Sequence, residues 1–272
     1  MQLFDNLPWY TYVILAVAVV SYAYRYFKTA KDGYDEGDGI QLTKAKFRKS
    51  PQSQLNKDQL FGVALYTPIA EWWKADTNTL TFLTPKKVKP YLEGWGIDTT
   101  EGYWSLTEYF MKDGRRWYFD FIVDMINNQS EENWNDLMAE KFGGNERADR
   151  YFKLLKTGTT VQKLKQKGIF AFDSDLELGV AGYDAAVLAG QARKAFTAQV
   201  ISEKDAWKVI RFAKELALQH FSSWEEFGKS FALGFDLDMR ADYHDYKEEV
   251  FHLYLQVISE PSSPWNTIDW PK

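Results

Sequence analysis

His244, Glu248 and His252 stand four residues apart and share one helical face, and Glu249 lies three before His252, the spacing of a carboxylate-bridged di-iron pair. Such a centre needs a second Glu-x-x-His and two further carboxylates, and the chain has no second Glu-x-x-His, so these residues read as a charged helix face and no metal is expected. Asp173, Asp175 and Glu177 alternate like the start of a calcium loop, but Leu178 occupies the position where the sharp turn requires glycine. Gly228-Lys229-Ser230 resembles the end of a phosphate loop, yet Ser223 stands where the leading glycine belongs and a helix precedes it. A Gly-x-Ser-x-Gly nucleophile elbow is absent. No complete catalytic constellation emerges, and no cofactor is expected.

The elements that would have to position any site are helices. Between Gly182 and Gln199, Tyr183, Ala186, Val187, Gly190, Ala195 and Phe196 form the apolar side of a helix rich in Ala and Gly, which allows close approach of its neighbours. Ser202, three before Asp205, opens a second helix whose stripe runs through Ala206, Ile210, Ala213 and Ala217, with Trp207 at its edge. Ser222 and Ser223, with Glu225 and Glu226 three residues on, offer two registers for a third N-cap ahead of Trp224, Phe227, Phe231 and Gly234. Upstream, an amphipathic stretch opens near Asn56, breaks around Pro68 and resumes through Trp72 and Trp73. Thr84-Pro85 starts a helix ending at Gly94, and further helices are expected over 100–112, 117–127, 131–141, 146–156 and 243–259. The segment 79–84, TLTFLT, is the one strand candidate.

The order Tyr183-Asp184, Arg193, Ile201-Ser202-Glu203, Ala206-Trp207, Ser223-Trp224-Glu225-Glu226-Phe227 and Gly234 resembles the bacterial family of domains of unknown function numbered 1266. Trp95-Gly96-Ile97 and the terminal Ser263-Pro264-Trp265 with Trp270 extend the resemblance over residues 55–272, and it departs from the family pattern at Val187, where a basic residue is expected. The resemblance implies a mostly helical domain with no established activity. Its polar positions, Asp184, Arg193, Glu203 and Arg116, together with Trp207 and Trp224, are the candidate binding residues. Asp184 and Arg193 are nine apart on one helix and should not pair. Two arrangements stay open for them. They bridge and cap neighbouring helices, or they line a Trp-walled cleft.

Residues 7–24 form an uncharged, apolar run about 27 Å long as a helix, close to the thickness of a bilayer core, with aromatic residues at both ends. A single transmembrane helix over about 7–26 is therefore expected, within an anchor of residues 1–28. Arg25, Lys28 and Lys31 follow the run and no basic residue precedes it, which places the span in the inner membrane N-out, with the C-terminal domain in the cytoplasm. Residues 29–54 read as a flexible linker, and 55–272 as an irregular multi-helix domain. The expected fold class is mostly α, one N-terminal transmembrane helix followed by that domain.

A domain of this size can bury a core without staples, and the absence of cysteine excludes disulfides and thiolate metal sites. A net charge of −5 disfavours nucleic acid as a partner. With 11 Trp and 16 Tyr, residue types enriched at interfaces, the chain reads as a membrane-tethered cytoplasmic protein-binding module rather than an enzyme. An immunity-like or adaptor role in a bacterial secretion or stress system falls within that class. The alternative is a hydrolase with Asp184 in a cleft and Glu203 or His220 as its acid–base partner.

Overall fold

Helices form where the apolar period and caps direct them, and they gather around one of their number. A computed structural model describes residues 43–240 and 243–271. In chain order the α-helices are α1 (Lys57–Ala64), α2 (Thr67–Trp72), α3 (Pro85–Gly94), α4 (Thr100–Lys112), α5 (Arg116–Asn128), α6 (Trp134–Phe142), α7 (Glu146–Lys156), α8 (Thr159–Gln166), α9 (Ala181–Thr197), α10 (Glu203–His220), α11 (Trp224–Asp238), α12 (His244–Ser259) and α13 (Pro264–Thr267). Short 3₁₀ turns occupy Glu131–Asn133 and Asp173–Leu178.

The central element is α9, buried along nearly its whole length and packed by α10, α11, α3, α4 and α1. Its small residues make this crowding feasible. A Cβ at Gly182 would lie 2.6 Å from the Phe227 carbonyl oxygen, and one at Gly234 of α11 would lie 2.4 Å from the Tyr183 Cβ, so two glycines let the α9 and α11 backbones touch. Outside this pair, α12 lies against α2, α11 and α13, while α7 joins α5, α8 and α11.

The caps refine the sequence reading. Ser202 accepts the Asp205 amide as expected, but the Asp205 carboxylate takes the Ser202 hydroxyl at 2.6 Å rather than its amide. Of the two registers before α11, Ser223 is the N-cap. Glu226 reaches back to the Ser222 amide and hydroxyl. Thr84 stands at the N-cap of α3 without a side-chain cap bond, leaving Pro85 to set the start.

The expected fold class requires correction. The described chain is mostly helical, and none of its helices is long and apolar enough to cross a membrane. The span expected at 7–26 lies outside the described residues. No strand occurs among the described residues either. In place of the expected strand at 79–84 the chain is irregular, and its Phe82 amide bonds the Thr197 hydroxyl instead of a neighbouring strand. The stretch 29–42 of the expected linker lies outside the described residues, and Lys44 already belongs to the folded unit. Ala45 and Phe47 are buried, the Ala45 amide bonds Gln256 Oε1 at 2.8 Å and the Lys46 amide bonds Glu71 Oε2 at 2.9 Å.

After α12 the chain turns back at Pro261, and α13 inserts Trp265 into the core. The Trp265 ring stacks on Trp224 at 5.2 Å and 10°, and its Nε1 donates to the Ala64 carbonyl at 2.8 Å. Trp224 Nε1 in turn donates to the Ile268 carbonyl at 2.7 Å. Trp224, a candidate binding residue, is thereby spent on the core together with Trp265.

Candidate functional site: an arginine cluster behind an aromatic lane

Asp184 is fully buried and acts as a cap supplied from another helix. The first residues of α5 have no side-chain cap of their own, and their amides are met by Asp184: Arg115 N–H donates at 2.9 and 3.0 Å and Arg116 N–H at 3.2 Å. Arg116 Nη1 adds an ion pair at 2.7 Å and its Nη2 donates to the Phe110 carbonyl at 3.2 Å. The turn between α4 and α5 must close tightly over the carboxylate. Gly114 does so at φ +62°, and a Cβ there would lie 2.2 Å from Asp184 Oδ2. Burial pushes the Asp184 carboxyl up to about 7, against the pull of Arg116 and the amides. A group so enclosed holds structure together. The Asp184 carboxylate is used by the α5 amides and Arg116 and has no exposed surface.

The remaining family-like positions are scattered. Arg193 is buried with Nη2 on the Asp76 carbonyl at 2.6 Å and its guanidinium 5.2 Å from the Phe82 ring centre, far in role from Asp184. Burial pushes its pKa down to about 10. Its neighbour Lys194 is also buried, bonded to the Tyr66 hydroxyl at 2.5 Å and 4.2 Å from the Tyr66 and Tyr91 ring centres. Trp207 is half-buried beside a small depression of about 290 Å³ and donates to Glu203 at 3.1 Å, which uses both residues locally. The acidic and basic clusters weighed in the sequence are paired as well: Asp175 with Lys229 at 3.1 Å, and Glu248 with Lys163 at 3.4 Å and with Lys167. Glu249 accepts the Trp72 indole N–H at 2.8 Å.

What the family-like residues do assemble is one step away. Tyr183 and Asp184 are adjacent on α9, and they fix the two partners of a buried ion pair. Asp184 holds the Arg115 amide, while Tyr183 donates its hydroxyl to Asp238 Oδ2 at 2.9 Å. Arg115 Nε then sits 2.8 Å from Asp238 Oδ1. Arg147 Nε lies 2.9 Å and Arg150 Nη2 3.9 Å from the same oxygen. Three guanidinium groups thus converge on one carboxylate. The two Nε groups are at ion-pair distance without hydrogen-bond alignment, so attraction is chiefly electrostatic. Arg115 is further locked by the Tyr109 hydroxyl at 3.1 Å and by the Phe110 face at 5.0 Å. Arg150 caps the end of α11 through the Leu237 and Asp238 carbonyls at 3.1 and 2.7 Å. Burial, with smaller contributions from the Arg147 and Arg115 guanidinium groups, pushes the Arg150 pKa down even with Asp238 beside it.

This cluster lines a cleft of about 960 Å³, at the upper end of ordinary ligand sites. The wall opposite in character is a lane of half-buried aromatics. Tyr246 meets Trp72 at 4.5 Å, Trp72 meets Trp73 at 5.2 Å, Trp73 meets Tyr91 at 5.5 Å and Tyr91 meets Trp95 at 6.1 Å. The Trp73 Nε1–H is buried without a hydrogen-bond partner, as is the Tyr151 hydroxyl. Tyr243, more than half exposed, also borders the cleft. Of the candidates named from sequence, neither Arg116 nor Asp184 lines this cleft, and sequence reasoning missed Arg115, Arg147, Arg150 and Asp238, which do. The available signal was Arg147 and Arg150, three apart and therefore on one face of α7.

The profile of the family described as protein of unknown function (DUF1266) matches residues 92–270, and the chain belongs to that family. Searches of curated proteins and of solved structures give no match.

Proposed function

We propose that the domain is a binding module that takes an acidic, aromatic-bearing segment of a protein partner into this cleft. The observation that carries the reading is charge: three arginines, Arg115, Arg147 and Arg150, line the cleft and converge on Asp238, the one carboxylate among its described lining residues, in a chain whose net charge is −5. A local positive patch on an acidic protein selects anionic partners and steers their approach. The aromatic lane supplies the apolar contact that a carboxylate-rich segment alone would not fill, and Trp and Tyr are the side chains that dominate such contacts.

The test is fluorescence polarisation with labelled twelve-residue peptides in which Tyr alternates with Glu or with Lys. The Glu peptide should bind and the Lys peptide should not, and the double variant R147Q/R150Q should weaken the Glu peptide about tenfold or more. Equal binding of both peptides, or binding untouched by the double variant, would refute the reading.

A further inference from the structure

Charge counting within the cluster narrows the ligand. Arg115, Arg147 and Arg150 all lie within 3.9 Å of a single oxygen of Asp238, so among the described residues three positive charges face one negative charge, an excess of two. A carboxylate would neutralise one of them. A phosphate monoester, carrying about −1.5 to −2 at neutral pH with three acceptor oxygens, matches both, and guanidinium groups engage it through paired N–H donors. The cluster is also preorganised. Arg115 and Arg150 are held by Tyr109, Asp238 and the α11 terminus, while Arg147, its side chain 40% exposed, is the arm most open to solvent. Because the phosphate position borders the lane of indole and phenol rings, the group attached to the phosphate should be a planar aromatic.

We infer that the cleft is a site for an aryl phosphate, presented as a phosphotyrosine side chain on the partner segment. This rests on the protein-partner reading given above and adds the identity of the anion. Asp238 is a positioning residue in this account, gathering the three guanidinium groups before the ligand arrives.

The experiment is calorimetric titration of the full chain with phenyl phosphate, phenyl sulfate, adenosine monophosphate, and one Glu/Tyr peptide with its tyrosine phosphorylated or not. Phenyl sulfate has the same shape as phenyl phosphate and one negative charge. The expected order is phosphopeptide tightest, phenyl phosphate at least about tenfold tighter than phenyl sulfate, and each phosphate ligand weakened about tenfold by R147Q and by R150Q, with melting temperatures unchanged for the exposed Arg147 variant. Equal affinity for phenyl sulfate and phenyl phosphate, with the unphosphorylated acidic peptide still binding through Arg147, would overturn the phosphate assignment and leave the cleft reading intact. Tighter binding of adenosine monophosphate than of the phosphopeptide would overturn the assignment to a protein side chain. Failure of every anion, the acidic peptide included, would overturn both.

Discussion

Trp265 is the residue whose removal should cost the fold most clearly. It is 4% exposed, stacks on Trp224, approaches Phe227 at 5.5 Å and Tyr254 at 6.0 Å, and donates one of the hydrogen bonds to the Ala64 carbonyl at the end of α1. Trp265→Ala removes a buried indole, about 3–5 kcal/mol, and one of the two hydrogen bonds to that carbonyl, which the Thr67 hydroxyl still meets at 2.7 Å, about 1 kcal/mol more, for a total of about 4–6 kcal/mol. Trp265→Phe keeps a ring in place and loses the N–H bond and part of the volume, about 1–3 kcal/mol. For a domain of this size the alanine variant should melt about 10–20 °C lower, and deletion of residues 261–272, which also removes the Ile268 carbonyl from Trp224, should cost more than about 2 kcal/mol. Urea denaturation followed by circular dichroism on parent, both variants and the truncation reads these values. An alanine variant melting within about 2 °C of the parent, or a phenylalanine variant as damaged as the alanine one, would show that this packing account is wrong.

Other consequences follow from buried charge. Asp184→Asn leaves Arg116 without its counter-charge, and denaturation should show a loss of about 3–5 kcal/mol. Lys194 is held by burial well below the ordinary lysine range, so the unfolded chain binds more protons and stability should rise from pH 7 to 9; Lys194→Met should raise stability at pH 7 and flatten that rise in pH-dependent melts. Burial works against the Asp236 charge, but Lys247 at 2.8 Å and Lys163 at 3.0 Å outweigh it and hold its pKa below the usual carboxylate range. Its contribution is therefore complete above about pH 4 and lost as pH falls through the folded value, and Asp236→Asn should remove that part of the acid slope.

Much of the helical order was legible because it rests on local rules. The ranges expected for α3, α4 and α7 match the structure, since Pro85, the Thr99 cap and the Asn145 cap fix the starts within a few residues. Helix α8 escaped notice because TTVQKLKQ is short and begins after Gly158 without a side-chain cap. TLTFLT has the β-branched composition of a strand, but no second strand exists among the described residues to pair with it, and the Thr197 hydroxyl takes its Phe82 amide. The abundance of Trp read as an interface signal, yet Trp224 and Trp265 fill the core.

The site itself was legible only at its edges. Tyr183-Asp184 stood out as a motif, but its purpose depends on residues some 55 and 69 positions away, Asp238 and Arg115, which no spacing rule connects. Arg147 and Arg150 look from sequence like an ordinary solvated face of α7. Only tertiary packing turns them toward the same oxygen as Arg115.

The central claim, that the cleft rather than any other surface is the working part of this protein, is tested most directly by mapping where an acidic ligand lands. Indole N–H resonances of the protein, assigned by single Trp→Phe variants, should be followed while the Glu/Tyr peptide is added. The account predicts shifts confined to Trp72, Trp73 and Trp95, saturating together, abolished by R147Q/R150Q, with Trp207, Trp224 and Trp265 unmoved. Saturable shifts at Trp207 or Trp117 with the three cleft indoles silent would contradict it.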